Sequence, residues 1–283
     1  MNDSTTPVLA VEDVSVQFRK GRTTFSALDS VSLTIPRATT VGLVGESGSG
    51  KSTLAKAVLG LVPIASGHVR LLGQNITHAK ARDRRNLGKT LQAVFQDPNT
   101  SLNPSFTIRQ SLIEPLRAQG MLGDIDVDAR VSEVLVAVGM QPDAASRRPG
   151  QFSGGQRQRI SIARALITSP ELVICDEAVS ALDLSVQAQV LNLLADLQET
   201  RGLSYLFISH DMSVVRHICH EVTVLYRGKV VESGSASLVT NTPAHSYTKT
   251  LLLAAPIADP QLQRQRSRDR LLERSGDPTP ASS

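Results

Sequence analysis

Cysteine is almost absent from this 283-residue chain: there are two, Cys175 in an apolar run and Cys219 in a predicted helix. A disulfide framework or a four-ligand metal site needs more, and better spaced, so both are excluded and a reducing compartment fits. Tryptophan is missing and aromatics make up only 3% of the chain. No run of about 18 apolar residues occurs, so nothing reads as a membrane-crossing helix. The opening MNDSTTPVLAVED has neither a basic start nor the apolar stretch of a secretory signal, and no signal peptide is expected. A large charge of one sign is lacking too. The formal charge of +4 is too small to identify nucleic acid as a partner, and a basic face toward lipid headgroups fits equally well. With 41% hydrophobic residues the chain can build a real core, so global disorder is excluded.

What is present is organised around residues 40–53, TVGLVGESGSGKST. Val41, Leu43 and Val44 read as a buried strand that breaks into a turn at Gly45, Glu46, Ser47, Gly48, Ser49 and Gly50 and resumes as a helix at Lys51, followed by Ser52 and Thr53. This is the strand–turn–helix setting of a phosphate-binding P-loop. The three glycines reach backbone angles closed to other residues, which lets successive amides turn inward on a polyphosphate. The helix start adds unpaired N–H groups and a positive dipole end. Lys51 is then placed to reach the β- and γ-phosphates and Ser52 to ligate magnesium. A plain Gly/Ser turn would not fill every fixed position of the pattern.

Around the P-loop, alternation at Val14, Val16 and Phe18 and at Val31, Leu33 and Ile35 predicts two half-buried strands, with a third over residues 68–72. Either Phe18 or Phe25 is a candidate to stack on a base. The helix opened by Lys51 is predicted to stop near Pro63. Residues 91–95 read as a strand ending at Gln96, a candidate sensor of the γ-phosphate or magnesium. A loop rich in Pro, Asn and Ser and helices at 109–118 and 128–138 follow.

Three later stretches carry chemistry. In QFSGGQRQRISIARAL (151–166), Ser153, Gly154, Gly155 and Gln156 open a helix and form a second anion site. One nucleotide has one polyphosphate tail, so this second site most simply serves a nucleotide bound to another copy or a related chain. ELVICDE (171–177) is a buried strand ending in Asp176, suited to magnesium, and Glu177, suited to orienting and deprotonating a water. SALD (180–183) then leads into an amphipathic helix. LSYLFISH (203–210) is another buried strand, ending in His210. Three strands therefore finish in groups fit for phosphate chemistry, and ligands of open parallel sheets bind beyond the carboxyl ends of the strands. Residues 222–226 and 229–232 read as a hairpin. Past Ser233 the signals thin, and QLQRQRSRDRLLERSGDPTPASS reads as a partly disordered polar tail.

In this order the pieces closely resemble the ATP-binding subunit of an ABC transporter over almost the whole length. GESGSGKST (Gly45 to Thr53) matches Walker A, Gln96 the Q-loop and FSGGQ (152–156) the family signature; VICDE (173–177) resembles Walker B plus the catalytic glutamate. SALD, with Asp183, resembles the D-loop, and His210 the switch histidine. FQDPNTSLNPSFTI (95–108), SALDLSVQAQVLNLL (180–194) and HSYTKTLL (245–252) resemble the narrower group of oligopeptide and dipeptide importer ATPases with their nickel and glutathione relatives. Some of that group carry a cysteine-rich C-terminal segment linked to an iron–sulfur cluster; with no cysteine after Cys219, none is expected here. Ala178-Val179 stands where Pro-Thr is common, and His245-Ser246 lacks the usual proline.

The resemblance implies an α/β fold of the P-loop NTPase type: a RecA-like core, an antiparallel β subdomain and a helical subdomain insertion. It sets an ATPase domain at 1–235, its helical part near 97–165, and a C-terminal extension with a polar tail at 236–283. It implies ATP and Mg2+ as cofactors, with Ser52, Gln96 and Asp176 at the metal and Lys51, Glu177 and His210 catalytic. Gly45 to Thr53, Gln96, Phe18, Ser153 to Gln156 and Asp183 contact nucleotide. It implies a peripheral location at the cytoplasmic face of the cell membrane. The expected partners are a second ATPase subunit, more often a paralogue than a copy, two transmembrane permease subunits and an extracytoplasmic solute-binding protein. A ribosome- or DNA-acting ABC protein and an exporter subunit are the competing readings.

Overall fold

The computed structural model describes residues 6–21, 23–96 and 101–254. Two sheets divide the strands. β1 (Leu9–Lys20) and β2 (Thr23–Ile35) form an antiparallel hairpin with Phe18 opposite Phe25. On its other side β1 pairs with β4 (Ser66–Leu71), which pairs with the short β5 (Gln74–Asn75), so the sheet order is β2-β1-β4-β5. The second sheet holds β3 (Thr40–Val44), β6 (Leu91–Phe95), β7 (Leu172–Asp176), β8 (Ser204–Ser209), β9 (Glu221–Tyr226) and β10 (Lys229–Ser235) in the order β10-β9-β3-β8-β7-β6. Its pairings are parallel except for the β9–β10 hairpin.

The central strands show almost no polar alternation because they are covered on both faces, as expected of a parallel sheet. Period-two geometry then splits each strand between two cores. Val41, Leu43, Ile174, Leu206 and Ile208 join the core shared with the antiparallel sheet. Val44, Val173, Cys175, Tyr205 and Phe207 join the core beneath the helices. Complete burial pushes the Cys175 thiol up to about 12, so it packs as a small apolar group and not as a reactive one.

Helix boundaries follow local chemistry. α1 (Lys51–Val58) ends before Gly60, which takes a left-handed φ of 70°, so the helix stops earlier than the proline signal at 63 predicts. α2 (Ala81–Leu87), ARDRRNL, escapes a periodicity search because it has almost no apolar stripe to detect. Between β6 and β7 come α3 (Ile108–Gln119), capped by a reciprocal Thr107–Gln110 box, and α4 (Val127–Ala137), capped by Asp126. α5 (Gly154–Leu166) completes this helical insertion. α6 (Leu184–Arg201) and α7 (Met212–Ile218) connect β7 to β8 and β8 to β9. Past β10, where sequence signals thin, the chain forms α8 (Ala236–Asn241) and α9 (Ser246–Ala254). The polar tail read from composition, 261–283, and the loop positions 97–100 lie outside the described residues.

Candidate active site

The carboxyl ends of β3, β7 and β8 are neighbours in the sheet, and each releases its chain into a short segment carrying polar groups. After β3 the backbone turns through Gly45 (φ 152°), Gly48 (φ 80°) and Gly50 (φ 112°). Gly45 is required for space as well as angle, since a Cβ there would lie 2.2 Å from the Leu225 carbonyl oxygen. Gly45→Ala is therefore expected to destabilise the fold by about 1–3 kcal/mol, read as a lower urea midpoint with an unchanged slope. Gly50 sits at the N-cap of α1 with no side chain capping the helix and no acidic residue in its first turn, so that end is left for an external anion.

Lys51 is buried to 6% exposure, and its Nζ donates to the carbonyl oxygens of Gly45 (2.7 Å) and Glu46 (2.8 Å). Burial lowers its pKa, opposed by the negative charges of Glu177, Asp176 and Glu46. Ser52 Oγ–H donates to Asp176 Oδ1 at 3.2 Å, which joins the helix start to the end of β7. Burial raises the Asp176 pKa; the Ser52 hydrogen bond and Lys51 pull it down while Glu177 adds to the rise. Hydroxyl and carboxylate oxygens at this spacing form a hard donor set, suited to magnesium and not to a soft metal.

Glu177 occupies a left-handed backbone conformation (φ 52°), uncommon for a glutamate and costly enough to need support. That support is visible: its N–H donates to the Ile208 carbonyl at 3.0 Å, and its own carbonyl accepts from the Ser180 N–H (3.1 Å) and hydroxyl (2.9 Å). The carboxylate Oε1 then lies 3.2 Å from His210 Nδ1, beyond the end of β8. Asp183 caps α6 by accepting the Val186 N–H at 3.0 Å. Gln96 follows Phe95, whose register partner on β7 is Asp176, and is exposed there.

Two further predicted groups lie on other elements. Phe18 and Phe25 face each other across the β1–β2 ladder, 41% and 62% exposed, so both rings share one surface of the hairpin. Ser153 keeps its hydrogen bonds within its own turn: its hydroxyl accepts the Gln156 N–H (3.3 Å) and its N–H donates to Gln156 Oε1 (3.0 Å). Gly155 is pressed against α6, since a Cβ on it would meet Val186 Cγ1 at 2.3 Å. The start of α5 is thereby locked beside the start of α6, and its first-turn glycine amides have no intrahelical partner.

Sequence reasoning passed over Tyr226 and Tyr247. Tyr247, on α9, accepts the Glu46 N–H with its hydroxyl at 2.8 Å, and its ring packs against Tyr226 with centroids 4.1 Å apart and planes tilted by 36°. The stretch 245–252 marks a group resemblance, but nothing in its local pattern points to the P-loop.

A glycine-framed loop and open helix start over a parallel sheet, with a lysine, an acid pair and a histidine converging on them, define a P-loop nucleoside triphosphatase. Comparison places it more narrowly. The family model for the ABC transporter matches residues 28–180, and the chain belongs to that family as an ATP-binding subunit. It is 46% identical over 269 residues to the oligopeptide transport ATP-binding protein OppF of Salmonella typhimurium, covering 92% of this chain and 80% of OppF. It is 48% identical over 265 residues to the glutathione import ATP-binding protein GsiA of Shigella flexneri, covering 91% of this chain and 42% of GsiA. Among solved structures, the dimeric ATP-binding cassette MJ0796 in a post-hydrolysis state bound to ADP and Pi superposes with a TM-score of 0.72 at 27% identity, covering 81% of this chain and 98% of MJ0796.

Proposed function

We propose that this chain hydrolyses ATP as one of two paired ATPase subunits that power an importer of peptides or related small solutes. The observation that carries the reading is the meeting of Lys51, the Ser52–Asp176 pair and the Glu177–His210 pair at adjacent strand ends. Water attacks the γ-phosphorus of ATP, the bond to the β–γ bridging oxygen breaks, and ADP and phosphate leave. Glu177 accepts the water's proton, and His210 holds the Glu177 carboxylate in place. Lys51, already desolvated, turns its ammonium from the loop carbonyls toward the β- and γ-phosphates. Catalysis of this kind is mostly positioning and charge stabilisation. Ser52, Asp176 and Gln96 are the residues that would hold magnesium, which when bound neutralises phosphate charge. The Phe18–Phe25 face offers the aromatic surface for adenine.

The hydrogen bonds of Ser153 stay within its own turn, and in this reading the glycine amides of that turn serve a nucleotide held by the partner subunit. MJ0796 is dimeric, which supports pairing of two such chains; in our reading they close head to tail, so that each signature turn completes the partner's site. The ATPase core at 1–235, with its helical insertion near 97–165, and the extension from 236 remain our division of the chain. Relatives named for import and transport favour this reading over an exporter or a ribosome- or DNA-acting protein. Among the described residues no helix is long and apolar enough to cross a membrane. Relatives named as importer subunits support attachment through permease subunits at the cytoplasmic face. In this reading a permease segment sits in a groove of about 460 Å³ between the end of α1, β6 and α3, whose lining includes the exposed Leu61 (65%) and Phe95 (40%). Leu61→Glu is expected to release the chain from isolated membranes while ATP affinity stays at the wild-type value, checked by sedimentation and nucleotide titration.

The whole reading is tested by affinity isolation of the tagged chain from membranes. Recovery of a second ATPase, permease subunits and a solute-binding protein is the expected result. Full-rate ATP hydrolysis by a strict monomer with Ser153, Gly154 and Gly155 replaced would overturn the shared site.

A further inference from the structure

The contact between α9 and the P-loop bears on one peptide unit, that joining Gly45 to Glu46. Its carbonyl oxygen accepts from Lys51 Nζ at 2.7 Å, and its N–H donates to the Tyr247 hydroxyl at 2.8 Å. In a trans peptide these two groups point in opposite directions. Tyr247 therefore holds, from the outer side of the loop, the same rigid plane from which Lys51 hangs on the inner side.

The tyrosine is itself fixed on several sides. Its ring packs at a tilt against Tyr226, which is followed by the Arg227–Gly228 turn of the β9–β10 hairpin. Gly228 N–H donates to the Ser49 carbonyl at 2.9 Å, so the same hairpin grips the P-loop a second time, three residues after Glu46. The start of α9 is tied to β10 through Glu232, whose two carboxylate oxygens accept the N–H groups of Ala244 (2.8 Å) and His245 (3.1 Å). His245 Nδ1 in turn accepts the Tyr247 N–H at 3.1 Å. Burial, reinforced by the nearby Glu46 charge and Tyr226 and only partly offset by the Glu46 amide, keeps the Tyr247 phenol above its ordinary pKa and protonated at neutral pH.

We propose that Tyr247 is a positioning residue for nucleotide binding: through the Gly45–Glu46 peptide it keeps the P-loop backbone, from which Lys51 swings onto the phosphates, in its anion-ready shape. This makes the C-terminal extension a structural part of the nucleotide site. The inference rests on the reading of Lys51 as the phosphate-binding lysine. A loop held in its bound form before the ligand arrives pays less ordering entropy on binding, so loosening it costs affinity for the polyphosphate and leaves the chemical step alone.

The test compares the full-length wild-type chain with Tyr247→Phe, which keeps the ring contact with Tyr226 and removes the hydroxyl. Loss of one such hydrogen bond is expected to raise the Kd and KM for magnesium-ATP about five-fold, with kcat and AMP affinity unchanged, because AMP lacks the phosphates that Lys51 reaches. Faster hydrogen–deuterium exchange in the peptide spanning Gly45 to Gly50 is expected alongside. An unchanged ATP Kd in Tyr247→Phe overturns the inference. So does a fall in thermal midpoint with equal losses for ATP and AMP, which is the mark of a purely structural role. A wild-type chain that fails to bind ATP defeats the nucleotide-site reading itself and is told apart from both by needing no variant.

Discussion

Glu177→Gln is expected to lower ATP turnover by about 10²–10⁴-fold while ATP binding persists. The substitution changes one oxygen for an amide group and removes the ability to take a proton from water. It keeps the side-chain length, so contact with His210 at the observed 3.2 Å survives in one amide orientation. The left-handed backbone at this position is held by main-chain bonds to Ile208 and Ser180 that involve no part of the side chain. The variant should therefore fold normally and separate binding from chemistry. Equilibrium titration with magnesium-ATP and a single-turnover phosphate-release assay make the measurement. Wild-type turnover in the variant would place the proton acceptor elsewhere.

Lys51→Ala is expected to lose ATP binding and turnover together, with affinity falling about 10- to 100-fold, the usual range for a charged hydrogen-bonding partner. Lys51 is 6% exposed, and its ammonium donates to two loop carbonyls. It is thus stored at the site with its desolvation cost already met by folding, as its lowered pKa records. Alanine removes the charge and leaves the Gly45 and Glu46 carbonyls without their donor. The ATP titration used for Glu177→Gln distinguishes the two variants directly: one binds without turning over, the other does neither. Undiminished ATP affinity in Lys51→Ala would mean that the loop amides and helix end alone hold the phosphates.

Much of this molecule follows from short stretches of chain. The strand–turn–helix around Lys51 is written in Val41 to Ser52 because glycine placement, apolar burial and helix initiation are all local properties. The predicted helices at 109–118 and 128–138 match α3 and α4 within a residue at each end, since Thr107 and Asp126 supply strong N-cap signals. β7 and β8 were legible as buried runs. α2 was not, because a charged helix has no apolar period, and neither were α8 and α9, where short helices follow an unremarkable polar stretch.

The sequence by itself determined which residue types lie at strand ends and helix starts, and hence the P-loop, the acid pair at 176–177 and the histidine at 210. Only the tertiary structure decided that Glu177 takes a left-handed conformation, that Phe18 and Phe25 share one face, and that Tyr247 reaches the Glu46 amide across 201 positions of chain. The reason is the order of the sheet. β3 pairs with β8 on one side and β9 on the other, which brings segments from the middle and the end of the chain against the same loop. A local pattern sets how a segment folds, whereas its neighbours are chosen by which buried faces fit together, and that choice involves the whole chain at once.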